Sequence, residues 1–90
     1  MLTEGEYRSA CSGLGTSEAE ISRGYELYTS FADSMNRSTQ TLTATSLYLA
    51  SSEASIESDL DYEELSEHFG IAVKSIKTCR KSMLREIYGF

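Results

Sequence analysis

Lys74, Lys77, Lys81 and Arg85 stand at i, i+3, i+7 and i+11 near the end of a 90-residue chain. On a helix, where successive residues are turned by about 100°, these spacings put four cations along one side. Ser75 and Thr78 fall beside them. A row of cations can neutralise phosphates, and that neutralisation supplies most of the salt-dependent affinity for nucleic acid. Neighbouring hydroxyls can donate to phosphates or read base edges. The same residues also describe a solvated amphipathic helix. Ile76, Cys79, Met83, Leu84 and Ile87 fall on its other side, and cations near a helix C-terminus favour the macrodipole. Periodicity alone leaves both readings open. Arg80 projects toward the apolar side. It either snorkels outward or pairs with an acidic group of another helix, a structural salt bridge being the favoured expectation.

No other residue set points to chemistry. The two cysteines, Cys11 and Cys79, are far apart, neither belongs to a CxxC pair, and His68 is the only histidine. A zinc ribbon or finger needs about four such ligands and is excluded. Cys11 and Cys79 read as buried free thiols, and His68 as a surface residue. The carboxylates of 57–67 lack the alternating spacing and central glycine of an EF-hand loop. There is no glycine-rich phosphate loop. No cofactor and no catalytic constellation are expected.

The elements that position the stripe are helical. The chain has no proline, and its length makes a single domain over 1–90. Tyr7, Ala10, Cys11 and Leu14 recur at helical spacing over a short first helix, 4–12, which Gly13 and Gly15 end. Ser17 and Glu20 form a capping box that opens a second helix running to about Met35. Ile21, Tyr25, Tyr28, Phe31, Ala32 and Met35 are its apolar stripe. Ser38 or Thr39 caps a third helix, 39–53. Residues 54–60 are expected to be a loop. Asp61 caps a short fourth helix, 62–69, with Glu63 and Glu64 in its first turn and Tyr62, Leu65 and Phe69 on one face. Gly70 closes it, Ile71 and Ala72 bridge, and the last helix covers about 73–88.

The third helix is unusual. No charged residue occurs between Arg37 and Glu53. A helix without a polar face belongs in the middle of a helical domain. Its threonine and serine hydroxyls can bond back to the preceding turn, so burial need not leave them unpaired. A strand is the competing reading, since threonine is frequent there. The length and the LYLA run favour a helix.

Charge is divided unevenly. Residues 1–70 carry three basic and thirteen acidic side chains, and residues 71–90 carry five basic and one acidic, within a net charge of −6. A locally positive end sits on an acidic body, of a kind common in salt-loving hosts. No run of about 18 apolar residues is present, so no membrane span is expected. The N-terminus lacks a signal-peptide pattern, and the expected location is the cytoplasm. The segment DYEELSEHFGIAVKSIKTCRKSML has helix-turn-helix grammar: a capped helix, a glycine for the turn, a hydrophobic residue to pin it, then a second helix of the kind that enters the DNA major groove.

Two segments together resemble a known family. NRSTQTLTATSLYLA resembles the GRS…AAALYLA signature of the cyclin-like repeats of transcription factor B, the archaeal relative of TFIIB, through Arg37, Ser38, Ala44, Leu47, Tyr48 and Ala50. LDYEELSEHFGIAVKSIKTCRKSMLREI resembles the family's later stretch through Leu65, Gly70, Ile71, Ile76, Leu84, Arg85 and Glu86. Residues 14–35 look like its second helix, with the LG-x-S start. The resemblance covers about residues 4–88. It implies an all-α, five-helix, cyclin-box-like domain with a C-terminal helix-turn-helix, the neutral helix at its centre. It further implies a role beside the TATA-binding protein and promoter DNA. Lys74, Ser75, Lys77, Thr78 and Lys81 are the DNA candidates carried over, and Arg85 extends the stripe. The chain departs from the family in having one repeat rather than two and no zinc ribbon. Ala72 stands where the family has a small or polar cap, and Arg80 where it has an aromatic.

The expected function is therefore DNA-binding and transcription-initiation-factor-like, with promoter-like duplex DNA as partner and a monomer or homodimer as the working form. The alternative is a stand-alone cyclin-box adaptor or decoy that binds a transcription or regulatory protein without DNA. An enzyme is not expected.

Overall fold

The computed structural model describes residues 1–53 and 60–89. They form five α-helices and no strand: α1 Glu4–Ala10, α2 Glu18–Phe31, α3 Thr39–Ser51, α4 Tyr62–Phe69 and α5 Val73–Tyr88. The expected loop at 54–60 lies outside the described residues, apart from Leu60. No described helix is long and apolar enough to cross a membrane.

Four of the five helices begin on a side-chain cap. Ser17 and Glu20 form the expected capping box. Thr3 and Glu6 form a second one at α1, readable from the same T-x-x-E spacing. Ser38 caps α3, and Asp61 caps α4. Only α5 starts without a side-chain cap, at Ala72. α2 ends at Phe31 rather than near Met35, and the chain leaves it through a turn in which the Ser34 and Met35 N–H groups both donate to the Phe31 carbonyl. Ala32 and Met35 still pack on the core.

α3 is the central element, packed against α2, α4 and α5. Thr41 to Leu47, Leu49 and Ala50 are all buried. The hydroxyls bond inside the helix as expected: Thr43 donates to Thr39 O at 2.7 Å, Thr45 to Thr41 O at 2.7 Å and Ser46 to Thr43 O at 2.9 Å. Around α3 the core is filled by Tyr7, Ile21, Leu27, Tyr28, Phe31, Leu65, Ile76 and Met83.

Gly24 explains how closely α2 meets α3. A Cβ there would stand 2.5 Å from the Tyr7 hydroxyl and 3.4 Å from the Leu47 Cα. The space a side chain would need is taken by the Tyr7 phenol, whose oxygen lies 2.8 Å from the Ser46 hydroxyl. Burial pushes the Tyr7 phenol well above its ordinary value. Tyr7, Tyr25 and Tyr28 form one aromatic group, with ring centroids 5.5 to 6.0 Å apart. One edge of it is held by the Leu2 N–H donating to the Tyr28 oxygen.

Candidate nucleic-acid interface

The path from α4 to α5 is a tight turn built on one glycine. Gly70 adopts a left-handed conformation (φ 66°, ψ 37°) that a side chain would disfavour. The Gly70 and Ile71 N–H groups both donate to the Ser66 carbonyl, and the Ser66 hydroxyl donates to Ile71 O. Ile71 is half-buried against the core, as the sequence requires of a residue that pins the turn. His68 adds a distant tether: its Nε2–H donates to the Ala10 carbonyl at 2.7 Å, joining α4 to the end of α1. His68 is on the surface, as expected, and it has this structural partner.

α5 is anchored by Ile76, Cys79 and Met83, all fully buried. Leu84 is half-buried, but Ile87 is 46% exposed and Tyr88 66%. Periodicity assigns Ile87 to the apolar side correctly, yet the last turn runs past the closed core. There Ile87 and Tyr88 border a small groove of about 140 Å³ with Leu27, Leu49 and Leu84, and Arg23 and Glu53 on its rim.

The basic stripe stands on the outer face of α5. Lys74, Lys77, Thr78, Lys81 and Arg85 are exposed, and Ser75 is half-buried. Among the described residues none of these four cations has a carboxylate within salt-bridge distance. Of the three cations outside α5, Arg37 is likewise without a carboxylate partner among the described residues, and the other two behave differently. Arg8 is bound by Glu4 and Glu18, and Arg23 donates to Glu53 at 2.6 Å and Glu26 at 3.1 Å. The pairing raises both guanidinium pKa values, Glu18 contributing most at Arg8 and Glu53 at Arg23.

Arg80 does not form the expected salt bridge among the described residues. Its guanidinium instead lies over the Tyr48 ring, 6.0 Å from the centroid, and its Nε is buried without a hydrogen-bond partner. Tyr48 is stacked on Tyr62 at 4.4 Å and 18°, and the Lys77 Nζ stands 5.3 Å over the Tyr62 ring. This cation and aromatic group was not visible in the sequence, because Tyr48 and Tyr62 belong to different helices and no periodicity relates them.

Both cysteines are buried free thiols. Burial pushes the Cys11 thiol up to about 12. It raises Cys79 too, with the Thr45 hydroxyl and the Arg37 charge offsetting part of the effect. A surface depression of about 540 Å³ is lined by Arg8, Cys11, Gly13, Gly15, Thr16 and Ile21 among others, and shares no residue with α5. Among the described residues no three of His, Cys, Asp and Glu gather as metal ligands. No protein-family model, no curated protein and no solved structure matches the chain.

Proposed function

We propose that this chain is a DNA-binding, transcription-initiation-factor-like domain in which α4, the Gly70 turn and α5 act as a helix-turn-helix inside a cyclin-box-like fold. The observation that carries this reading is that, among the described residues, Lys74, Lys77, Lys81 and Arg85 have no carboxylate partner. The chain has fourteen acidic side chains, and Arg8 and Arg23 are both engaged by them. Four cations left in a row on an exposed helix face, with the Ser75 and Thr78 hydroxyls beside them, suit a row of phosphates. Lys74, Lys77, Lys81 and Arg85 would neutralise the duplex backbone, while Ser75 and Thr78 would reach phosphates or base edges. The uncapped first turn of α5 adds free backbone N–H groups at the same end. The resemblance to transcription factor B suggests promoter-like DNA, with the TATA-binding protein as a neighbouring partner.

The acidic body repels DNA at long range, so the complex is weak except where α5 faces the duplex. Titration of a pool of duplex DNA at two salt concentrations tests the reading, with a Lys74/Lys77/Lys81→Ala variant alongside. Binding should weaken steeply with salt and disappear in the variant. Binding that the variant retains, or none at either salt, ends the assignment.

A protein adaptor is the second reading, favoured by the groove beside the exposed Ile87 and Tyr88. It predicts a defined protein complex that Ile87→Asp abolishes, and no DNA affinity above background.

A further inference from the structure

We infer that the face shared by the first turn of α4 and the middle of α5 docks on the same face of a second copy of this chain, each copy's Lys77 meeting the other's Asp61 and Glu63. Asp61, Tyr62, Glu63, Val73 and Lys77 line one shallow depression of about 350 Å³. Both signs of charge therefore open onto a single patch. Asp61, Glu63 and Lys77 are exposed, and Tyr62 and Val73 are the half-buried, less polar part of it.

The charges of this patch do not satisfy one another. Among the described residues Lys77 forms no ion pair with either carboxylate, although all three line the same depression. Its ammonium instead lies over the Tyr62 ring, 5.3 Å from the centroid. That ring is backed by Tyr48, stacked on it at 4.4 Å. Asp61 accepts from the Glu64 N–H at 2.8 Å as the cap of α4, and Glu63 stands in the first turn, where the helix dipole favours it. Neither role supplies a counter-ion. Other carboxylates have one: Glu4 and Glu18 meet Arg8, and Glu26 and Glu53 meet Arg23.

A patch that carries both signs is complemented by one with the signs reversed. A two-fold axis through the depression supplies that by construction. Where one copy presents Lys77, the other presents Asp61 and Glu63, and the pairing occurs twice. A partner of a single sign satisfies only half of the patch. Exposed ion pairs contribute little one by one, so the contact is weak and salt screens it. Lys77 is also part of the basic stripe, so duplex DNA and the second copy compete for it. Only this competition rests on the DNA reading.

Sedimentation velocity over a wide concentration series, at about 50 mM and about 500 mM salt, tests the contact. The mass should rise toward that of two chains at the lower salt and stay at one chain at the higher. Lys77→Glu and Glu63→Lys should each weaken association by about tenfold or more, since each sets like charges together at both pairings. Their equimolar mixture should associate again, because opposite charges then meet at both. If a reversal lowers Tm, Lys77→Gln and Glu63→Gln replace it, and each should weaken association by roughly twofold to fivefold. A chain that stays single at the lower salt overturns the proposal. So does association that these variants leave intact, or that a mixture of folded reversals fails to recover. Association lost in Ile87→Asp and kept by both reversals places the contact at the end of α5 and overturns it as well. Added duplex should take the dimer apart. A dimer that the reversals break but duplex leaves whole supports the face and counts against the DNA reading. Duplex binding by a chain that never pairs keeps that reading and ends this proposal.

Discussion

Helix α3 has no charged residue in its thirteen positions, whereas α5, packed directly against it, has six in sixteen. In α3 nearly every side chain is buried, and the hydroxyls return to their own backbone. In α5 three fully buried residues carry the packing, and the stripe of cations faces outward without carboxylate partners among the described residues. One helix is committed to holding the domain together. The other needs only one side for that purpose, and its remaining side is open to selection for something else. The difference makes stability and binding separable, and each part of it can be attacked.

The largest loss should come from Leu47→Ala, at a fully buried position of α3. Chemical denaturation should show a loss of about 2–5 kcal/mol, the usual range for such a truncation. Gly24→Ala comes next, at about 1–3 kcal/mol, since its Cβ would strike the Tyr7 hydroxyl at 2.5 Å. Tyr7→Phe removes that oxygen, so the Gly24→Ala/Tyr7→Phe pair should cost less than the sum of the singles. An additive result would place the strain elsewhere. Thr45→Val should cost less than about 1 kcal/mol, because the hydroxyl it removes bonds mainly to its own helix, with only the weak Cys79 thiol as a partner beyond it.

The Lys74/Lys77/Lys81→Ala variant should stay within about 0.5 kcal/mol per site of the parent. It should nevertheless reduce the salt slope of any duplex binding by roughly 2 to 3. A stability loss above about 2 kcal/mol would break the contrast, since the stripe would then be part of the scaffold. The smallest effect at neutral pH concerns the thiols. Cys11 and Cys79 should react with a thiol reagent only on unfolding. The folded pKa of Cys11 is raised from 9.0 to about 12. The unfolded thiol therefore ionises first, and stability should fall as pH rises above about 9 and not below it.

The bounds of α4 and α5 were legible because each end has a local cause: the Asp61 cap, the Gly70 stop and the polar switch of the stripe. The burial of α3 was legible from missing charge alone. The capping box at Thr3 and Glu6 obeys the rule that identifies Ser17 and Glu20, so it too was within reach. Gly24 was not, since its role depends on which helix faces it and on a tyrosine seventeen positions earlier. Ile87 shows the limit of periodicity, which gives the side of a helix but not where the core stops. Arg80 shows another. A charged residue on an apolar side invites a carboxylate partner, and a pair of rings drawn from two other helices took that place.

The closed hydroxyl bonds of α3 bear on how this fold can change over generations. Thr43, Thr45 and Ser46 are supplied with acceptors by their own helix. α3 therefore places few polar demands on the helices around it, the contact between Tyr7 and Ser46 being the main one. Those helices are constrained by shape and volume more than by matching donors to acceptors. Their sequences can drift far while the architecture persists, and kinship then fades from the sequence before it fades from the fold.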